Sequence, residues 1–268
     1  MTEPDNPYRA PHARVADIPP LESGRPRFVP RGRSVPARHA TRWISSGWVL
    51  FKKSPGVWAG LFLTYLLIQL LIEALSRAIP LVGLFLRPVL QTPLQGGVML
   101  GCAAQERNEP LRLSHLFAGF SWEFGPLVRL GFLFLVPAIA AGLVVGIALM
   151  ALSGGTAPAG LPGGPGRGIQ LVIVGVVTVP VSIGMLMAGL FSPALVVFHD
   201  LPPFEAMKSS FFACLRNYRP ILSYAAIGMA LTILGLIPFG LGLLVVGPVV
   251  TAAAYYGYRD IFFSSEPD

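Results

Sequence analysis

Charge is scarce in this sequence. Asp, Glu, Lys and Arg make up only 12% of its residues, where an average soluble domain carries about 25%. The longest stretch without any of them runs from Pro220 to Tyr258. As one helix it would measure roughly 58 Å, about twice the ~30 Å hydrocarbon layer of a bilayer. The run is broken at Pro238-Phe239-Gly240, so it reads as two membrane-spanning helices joined by a tight turn. A hydrophobic fraction of 53% and a mean hydropathy of +0.65 argue against a soluble fold.

Reactive side chains are equally sparse. The two cysteines, Cys102 and Cys214, fall in separate segments near helix ends expected on the reducing side, so no disulfide is expected. Of the four histidines, His199 stands beside Asp200 but has no second ligand pair, and His115 falls on the polar side of its segment. There is no Walker motif, HExxH, GxSxG or Gly-rich phosphate loop. The sequence thus nominates no catalytic residue, no metal ligand and no cofactor, and the protein is expected not to be an enzyme.

Positive charge is present but segregated. The net charge of +7 and pI near 9.8 could suggest nucleic acid, but ten of the twenty Lys and Arg residues lie before position 54 and most others flank apolar runs on one side. That pattern sets membrane topology, and nucleic acid is not expected as a partner. Residues 1–38 hold eight prolines and many arginines. They lack an apolar run of signal-peptide length and read as a disordered basic cytoplasmic tail. Two readings stay open for it: a solvated topology signal, or a tail whose Arg25, Arg27, Arg31, Arg33, Arg38 and Arg42 lie on anionic headgroups at about 1 kcal/mol each.

The apolar runs predict spans at about 56–79, 82–105, 127–152, 169–198, 220–237 and 240–260. The fold expected is an all-α integral membrane protein of six transmembrane helices arranged as three hairpins, each preceded by an amphipathic juxtamembrane helix. It would occupy 39–263, with a Gly-rich connector at 153–168 and a short cytoplasmic tail at 264–268. Seventeen basic residues fall on the side of the tail and two, Arg77 and Arg167, on the other, with Arg87 inside the second helix. Both termini are therefore expected in the cytoplasm.

Repetition supports the three-unit reading. The segments before the hairpins carry apolar residues at helical spacing: Ile44, Trp48 and Phe51; Leu113, Leu116, Phe120 and Phe124; Phe204, Met207, Phe211 and Leu215. The last two open with Asn108-Glu109-Pro110 and Asp200-Leu201-Pro202, which reads as an N-cap followed by proline. Thr92-Pro93, Ser192-Pro193 and Gly247-Pro248 recur in the second helix of each pair. A hydroxyl before the proline would help satisfy the backbone groups the proline frees. Gly56/Gly60, Gly97/Gly101 and Gly142/Gly146 are spaced for close helix packing.

One polar cluster stands in apolar surroundings. Gln69, Glu73 and Arg77 share a face of the first span, and Arg87 should lie at similar depth across the hairpin. An ionised group there costs about 2.5–3.5 kcal/mol on insertion scales. Glu73 should therefore bridge to Arg77 or Arg87 and pin the hairpin, or the group forms a polar vestibule for an ion, a proton or a lipid headgroup.

The segments Thr92-Pro93-Leu94-Gln95-Gly96-Gly97, Glu106 to Glu109 with Leu116 to Phe120, and Ser192-Pro193-Ala194 through Asp200, Pro202, Ala206, Ser209, Cys214 and Asn217 resemble an uncharacterised family of proteobacterial multi-pass inner-membrane proteins. More remotely they resemble the membrane domain attached to some glycerophosphodiester phosphodiesterases. The resemblance covers roughly residues 36–263 and implies an inner-membrane bundle in contact with lipid, with no functional residue to carry over. The function expected is non-enzymatic, in envelope or lipid homeostasis or as a scaffold. The alternative is a small transporter or channel with a path between the repeats.

Overall fold

A computed structural model describes residues 27–152 and 167–264. Residues 1–26 of the expected tail, 153–166 of the expected connector and the last four residues lie outside the described residues. Nine α-helices follow in order: α1 His39–Lys53, α2 Pro55–Ala78, α3 Pro80–Glu106, α4 Ala118–Trp122, α5 Phe124–Leu152, α6 Arg167–His199, α7 Pro203–Arg216, α8 Tyr218–Leu236 and α9 Leu243–Phe262. A 3-10 turn at Leu113–Phe117 precedes α4. Two short antiparallel strands, β1 Arg27–Phe28 and β2 Phe263–Ser264, pair the two ends of the described chain.

Among the described residues four helices, not six, are long and apolar enough to cross a membrane: Pro55–Ala78, Phe124–Ala151, Leu171–His199 and Tyr218–Leu236. The six-span expectation fails at α3 and α9. Both are long, but α3 carries Arg87, Gln91, Thr92, Gln95, Gln105 and Glu106, and α9 carries three tyrosines, Arg259 and Asp260. Lack of charge is not the same as high hydropathy, and it was charge that delimited these two runs. Their place in the bundle fits their polarity. Residues 92–94, 96–99 and 101–105 of α3 and most of 248–262 of α9 are buried against other helices. By contrast the most apolar stretch of α5 has no buried residue. The apolar helices form the outer wall, where lipid meets them.

The segments leading into each pair pack in a cyclic order. The turn and α4 lie on α3, α7 lies on α6, and α1 lies on α9. Each leading segment thus covers the second helix of the preceding pair, and α1 closes the ring. The leading segments are not alike, however. α1 and α7 are continuous, while 111–124 is broken into the 3-10 turn and one turn of helix, with a kink at Glu123. α1 buries Trp43, Gly47 and Leu50, leaving Trp48 exposed, and α7 buries Ala206, Ser210, Ala213 and Cys214, leaving Phe204 and Leu215 exposed. Small side chains let backbones meet. A Cβ on Gly119 would fall 2.1 Å from the Pro93 carbonyl oxygen, and one on Gly97 would fall 2.4 Å from that of Leu116. Gly101 meets Leu111 and His115, and Gly60 meets Leu113, but Gly56, Gly142 and Gly146 face open space.

Asn108 and Asp200 are not N-caps. Both have positive φ, 62° and 51°, and stand just past the ends of α3 and α6. The Asn108 N–H donates to the Gln105 carbonyl and the Glu109 N–H to that of Ala104, the paired bonds of a Schellman stop. Asn and Asp tolerate this left-handed conformation better than most residues. α7 instead starts after Pro202 with no side-chain cap. The turn at Pro238-Phe239-Gly240 is present, with Phe239 and Gly240 both at positive φ. The hydroxyl expected to help at Ser192-Pro193 does not do so: Ser192 Oγ is buried with no hydrogen-bond partner.

Residues 27–38 are not a loose tail. Arg33 donates from Nε to the Asp260 carbonyl at 2.7 Å and from Nη2 to Asp260 Oδ1 at 2.8 Å. The Val35 N–H donates to Asn217 Oδ1 at 2.8 Å, and Asn217 Nδ2 donates back to the Arg33 carbonyl at 2.9 Å. These bonds strap the segment across α7 and α9.

Candidate functional site

The polar cluster forms at the α2–α3 hairpin. The helices approach closely there, since a Cβ on Gly83 would fall 1.9 Å from Ser76 Oγ. Arg77 donates from Nε to Glu73 Oε1 at 3.1 Å, and Arg87 donates from Nη2 to Glu73 Oε2. One carboxylate thus lies between two guanidinium groups. All three side chains are at least two-fifths exposed, at a place where their surroundings are apolar. Gln69 is one turn further along α2. It does not join the ion pairs but meets the Tyr65 hydroxyl, which also meets Gln95. Gln69 Nε2 is buried and has no partner.

Arg87 also begins the lining of a cavity of about 860 Å³, within the usual size range for ligand sites of ~300–1,000 Å³. The α3 face Arg87, Gln91 and Gln95, at helical spacing, makes its polar stripe, and Met99 ends it. From Arg87 to Met99 is about 18 Å of helix axis. The other walls come from α2, α5, α6, α8 and α9 and are mainly apolar, with Phe134, Leu135, Met185 and Leu190 among them. Two hydroxyls in the lining are already used: Tyr224 donates to the Val250 carbonyl and Thr251 to that of Gly247. Sequence reasoning found the Arg87 end but missed the cavity. The signal was present as Arg87-x3-Gln91-x3-Gln95, three polar residues on one face of α3.

A second polar cluster, which the sequence did not single out, locks the opposite ends of the described chain together. Asp260 accepts from Arg33, from His39 Nδ1 at 2.6 Å and from Trp43 Nε1 at 2.9 Å. Burial alone would raise its carboxyl; hydrogen bonds from Trp43 and His39, the His39 charge and the Arg33 bond outweigh that and hold it below the ordinary 3.8. Nearby, Glu106 accepts from the Tyr255 hydroxyl at 2.7 Å and from Arg259 Nη1. His199 Nε2 bonds the Tyr258 hydroxyl at 2.7 Å and stacks on Phe28. Every one of these groups has a structural partner. Among the described residues no group of three or more His, Cys, Asp or Glu is placed to hold a metal. Cys102 and Cys214 are both buried, and burial pushes the Cys214 thiol up to about 12 against a smaller opposing pull from Ser210.

Similarity to known proteins agrees with a membrane location. Over 234 residues, 82% of each chain, the sequence is 29% identical to a protein of Burkholderia thailandensis described as "Probable inner membrane protein". No family model matches the chain, and no solved structure does, so the remoter likeness to the membrane domain of glycerophosphodiester phosphodiesterases has no support. With four long apolar helices and this similarity to a proteobacterial inner-membrane protein, the chain is a multi-pass protein of the bacterial inner membrane in contact with its lipid.

Proposed function

We propose that this is a non-enzymatic protein of lipid or envelope homeostasis that binds a membrane amphiphile inside its bundle. The observation that carries the reading is the cavity: about 860 Å³, apolar on most walls and polar along α3, with an arginine at one end. An apolar body would bury against Phe134, Leu135 and Leu190 at about 25 cal/mol per Å², while a polar head would meet Arg87 and Gln91. The non-enzymatic part rests on the sequence, which carries no catalytic motif. Ala138 lines the cavity and is exposed to it. Ala138→Trp should fill the space and strip co-purified lipid without lowering the melting temperature. The same lipid content in that variant as in the parent protein would refute the reading.

The stripe Arg87, Gln91 and Gln95 also favours a second reading, a small transporter with its path along α3. It predicts uptake of a polar solute into proteoliposomes, abolished by Gln91→Leu; no flux would exclude it.

We place both termini in the cytoplasm, because ten of the twenty Lys and Arg residues precede position 54 and an even number of spans returns the chain to the same side. A reporter fused at the C-terminus that proves periplasmic would overturn this. Of the arginines assigned to headgroups, Arg25 lies outside the described residues and Arg33 is held by Asp260. The lipid-surface role therefore falls to Arg27, Arg31, Arg38 and Arg42.

A further inference from the structure

We infer that the cavity selects an amphiphile whose head is a phosphodiester with a net charge of minus one, that Arg87 reads it, and that Glu73 is the resident anion it displaces. The inference rests on the reading of the cavity as an amphiphile site and adds the class of ligand.

Charge is the first argument. Arg77, Glu73 and Arg87 sum to one net positive charge in apolar surroundings, which a single negative charge would neutralise. The second is donor count. Arg87 carries five N–H donors, and among the described residues its one hydrogen-bond partner is Glu73, reached from Nη2. The guanidinium therefore keeps donors for two oxygens of a phosphate, the planar fork for which arginine is suited. The third is the second arginine. Glu73 is already held by Arg77 from the other side at 3.1 Å. When a phosphate takes Arg87, the carboxylate keeps a partner, so the exchange leaves no ionised group alone in lipid. The fourth is direction. Arg87 stands at one end of the cavity lining, and Gln91 and Gln95 continue along the same face of α3. A head at Arg87 would place its glycerol or ester oxygens beside these amides and its chains against Phe134 and Leu190.

The test is native mass spectrometry of the full chain released from detergent micelles, titrated with phosphatidylglycerol, with phosphatidylethanolamine of the same chains, and with soluble glycerophosphoglycerol. Phosphatidylglycerol should bind at least about fivefold more tightly than phosphatidylethanolamine, the size expected for one partly exposed ion pair. Arg87→Gln should abolish the preference. Glu73→Gln should raise phosphatidylglycerol affinity about fivefold, because the competing carboxylate is gone; if Glu73 served only to hold the hairpin, the same change would lower it. Should Arg87→Gln fail to fold, Glu73→Gln and Arg87→Lys carry the test, the lysine variant keeping charge but losing the fork and with it most of the preference.

Equal binding of the two lipids, unchanged in Glu73→Gln, would overturn the selection by charge and leave the amphiphile site standing. Binding of the soluble diester as tight as the lipid would overturn the amphiphile itself. No bound lipid in any form of the protein would overturn the cavity reading on which the inference rests.

Discussion

Asp260→Asn is the most incisive perturbation of the fold. The Asp260 carboxylate accepts from three groups, Arg33 at 2.8 Å, His39 at 2.6 Å and Trp43 at 2.9 Å. Hydrogen bonds that involve a charged group contribute about 1.5–3 kcal/mol each. The Arg33 side chain is 38% exposed and that of Asp260 20%, so solvent screening reduces the total. Asn also keeps one acceptor oxygen. A net loss of about 3 kcal/mol follows, or roughly 6–12 °C in melting temperature on the scale for chains of about 200 residues. The assay is thermal unfolding in detergent, read by tryptophan fluorescence. The pH dependence supplies a second readout. Because the folded carboxyl lies below its ordinary 3.8, the unfolded chain binds the proton more readily. The stabilisation is fully present above the ordinary value and fades as pH falls through the lowered one. The gap between parent and Asp260→Asn should therefore close at strongly acid pH. A variant that melts within 2 °C of the parent at pH 7 (against the roughly 6–12 °C expected), or a gap that persists in acid, would refute the clasp.

Glu73→Gln and Arg87→Gln should be coupled in a double-mutant cycle by about 0.5–1 kcal/mol in detergent, and zero coupling would mean the bridge does not form. Ser192→Ala should leave stability unchanged or raise it by up to ~1 kcal/mol, since the hydroxyl is buried with no partner. Ser210→Ala should do the reverse and lose about 1–2 kcal/mol, because that hydroxyl donates to the Met187 carbonyl at 2.7 Å and accepts from the Phe191 N–H at 3.1 Å; equal melting temperatures for the two variants would contradict the packing of α7 on α6. Gly119→Val should cost more than 2 kcal/mol or abolish expression, given the 2.1 Å approach to the Pro93 carbonyl, and a normally stable variant would disprove the seating of α4 on α3.

Membrane character, the positions of most helices, the turn at Pro238 and the Glu73–Arg87 bridge were all legible in the sequence. Each follows from local rules: run length, proline and glycine at a turn, and the expense of an unpaired charge in lipid. The span count was not, because α3 and α9 are poor in charge yet rich in Gln, Thr and Tyr. Which side of α7 packs inward was not legible either: Ala206, Ser210 and Ala213 face in while Phe204 and Leu215 face outward, since small side chains let helix backbones approach. Asn108 and Asp200 were misplaced because both residues suit either end of a helix, and only the backbone tells whether one helix is stopping or the next is starting. The Asp260 clasp joins residues more than 200 positions apart, and no local pattern announces such a meeting.

The cyclic packing has a consequence for synthesis. When α4 and α7 emerge, their partners α3 and α6 have already been made. α1 has no such partner: it is translated about 200 residues before α9, the helix on which it lies. At roughly 5–20 residues per second, α1 waits on the order of 10–40 s with Trp43 and Leu50 uncovered. Until then the ring stays open, and a chain cut short before α9 leaves α1 as a lasting mark of incompleteness for quality control to find.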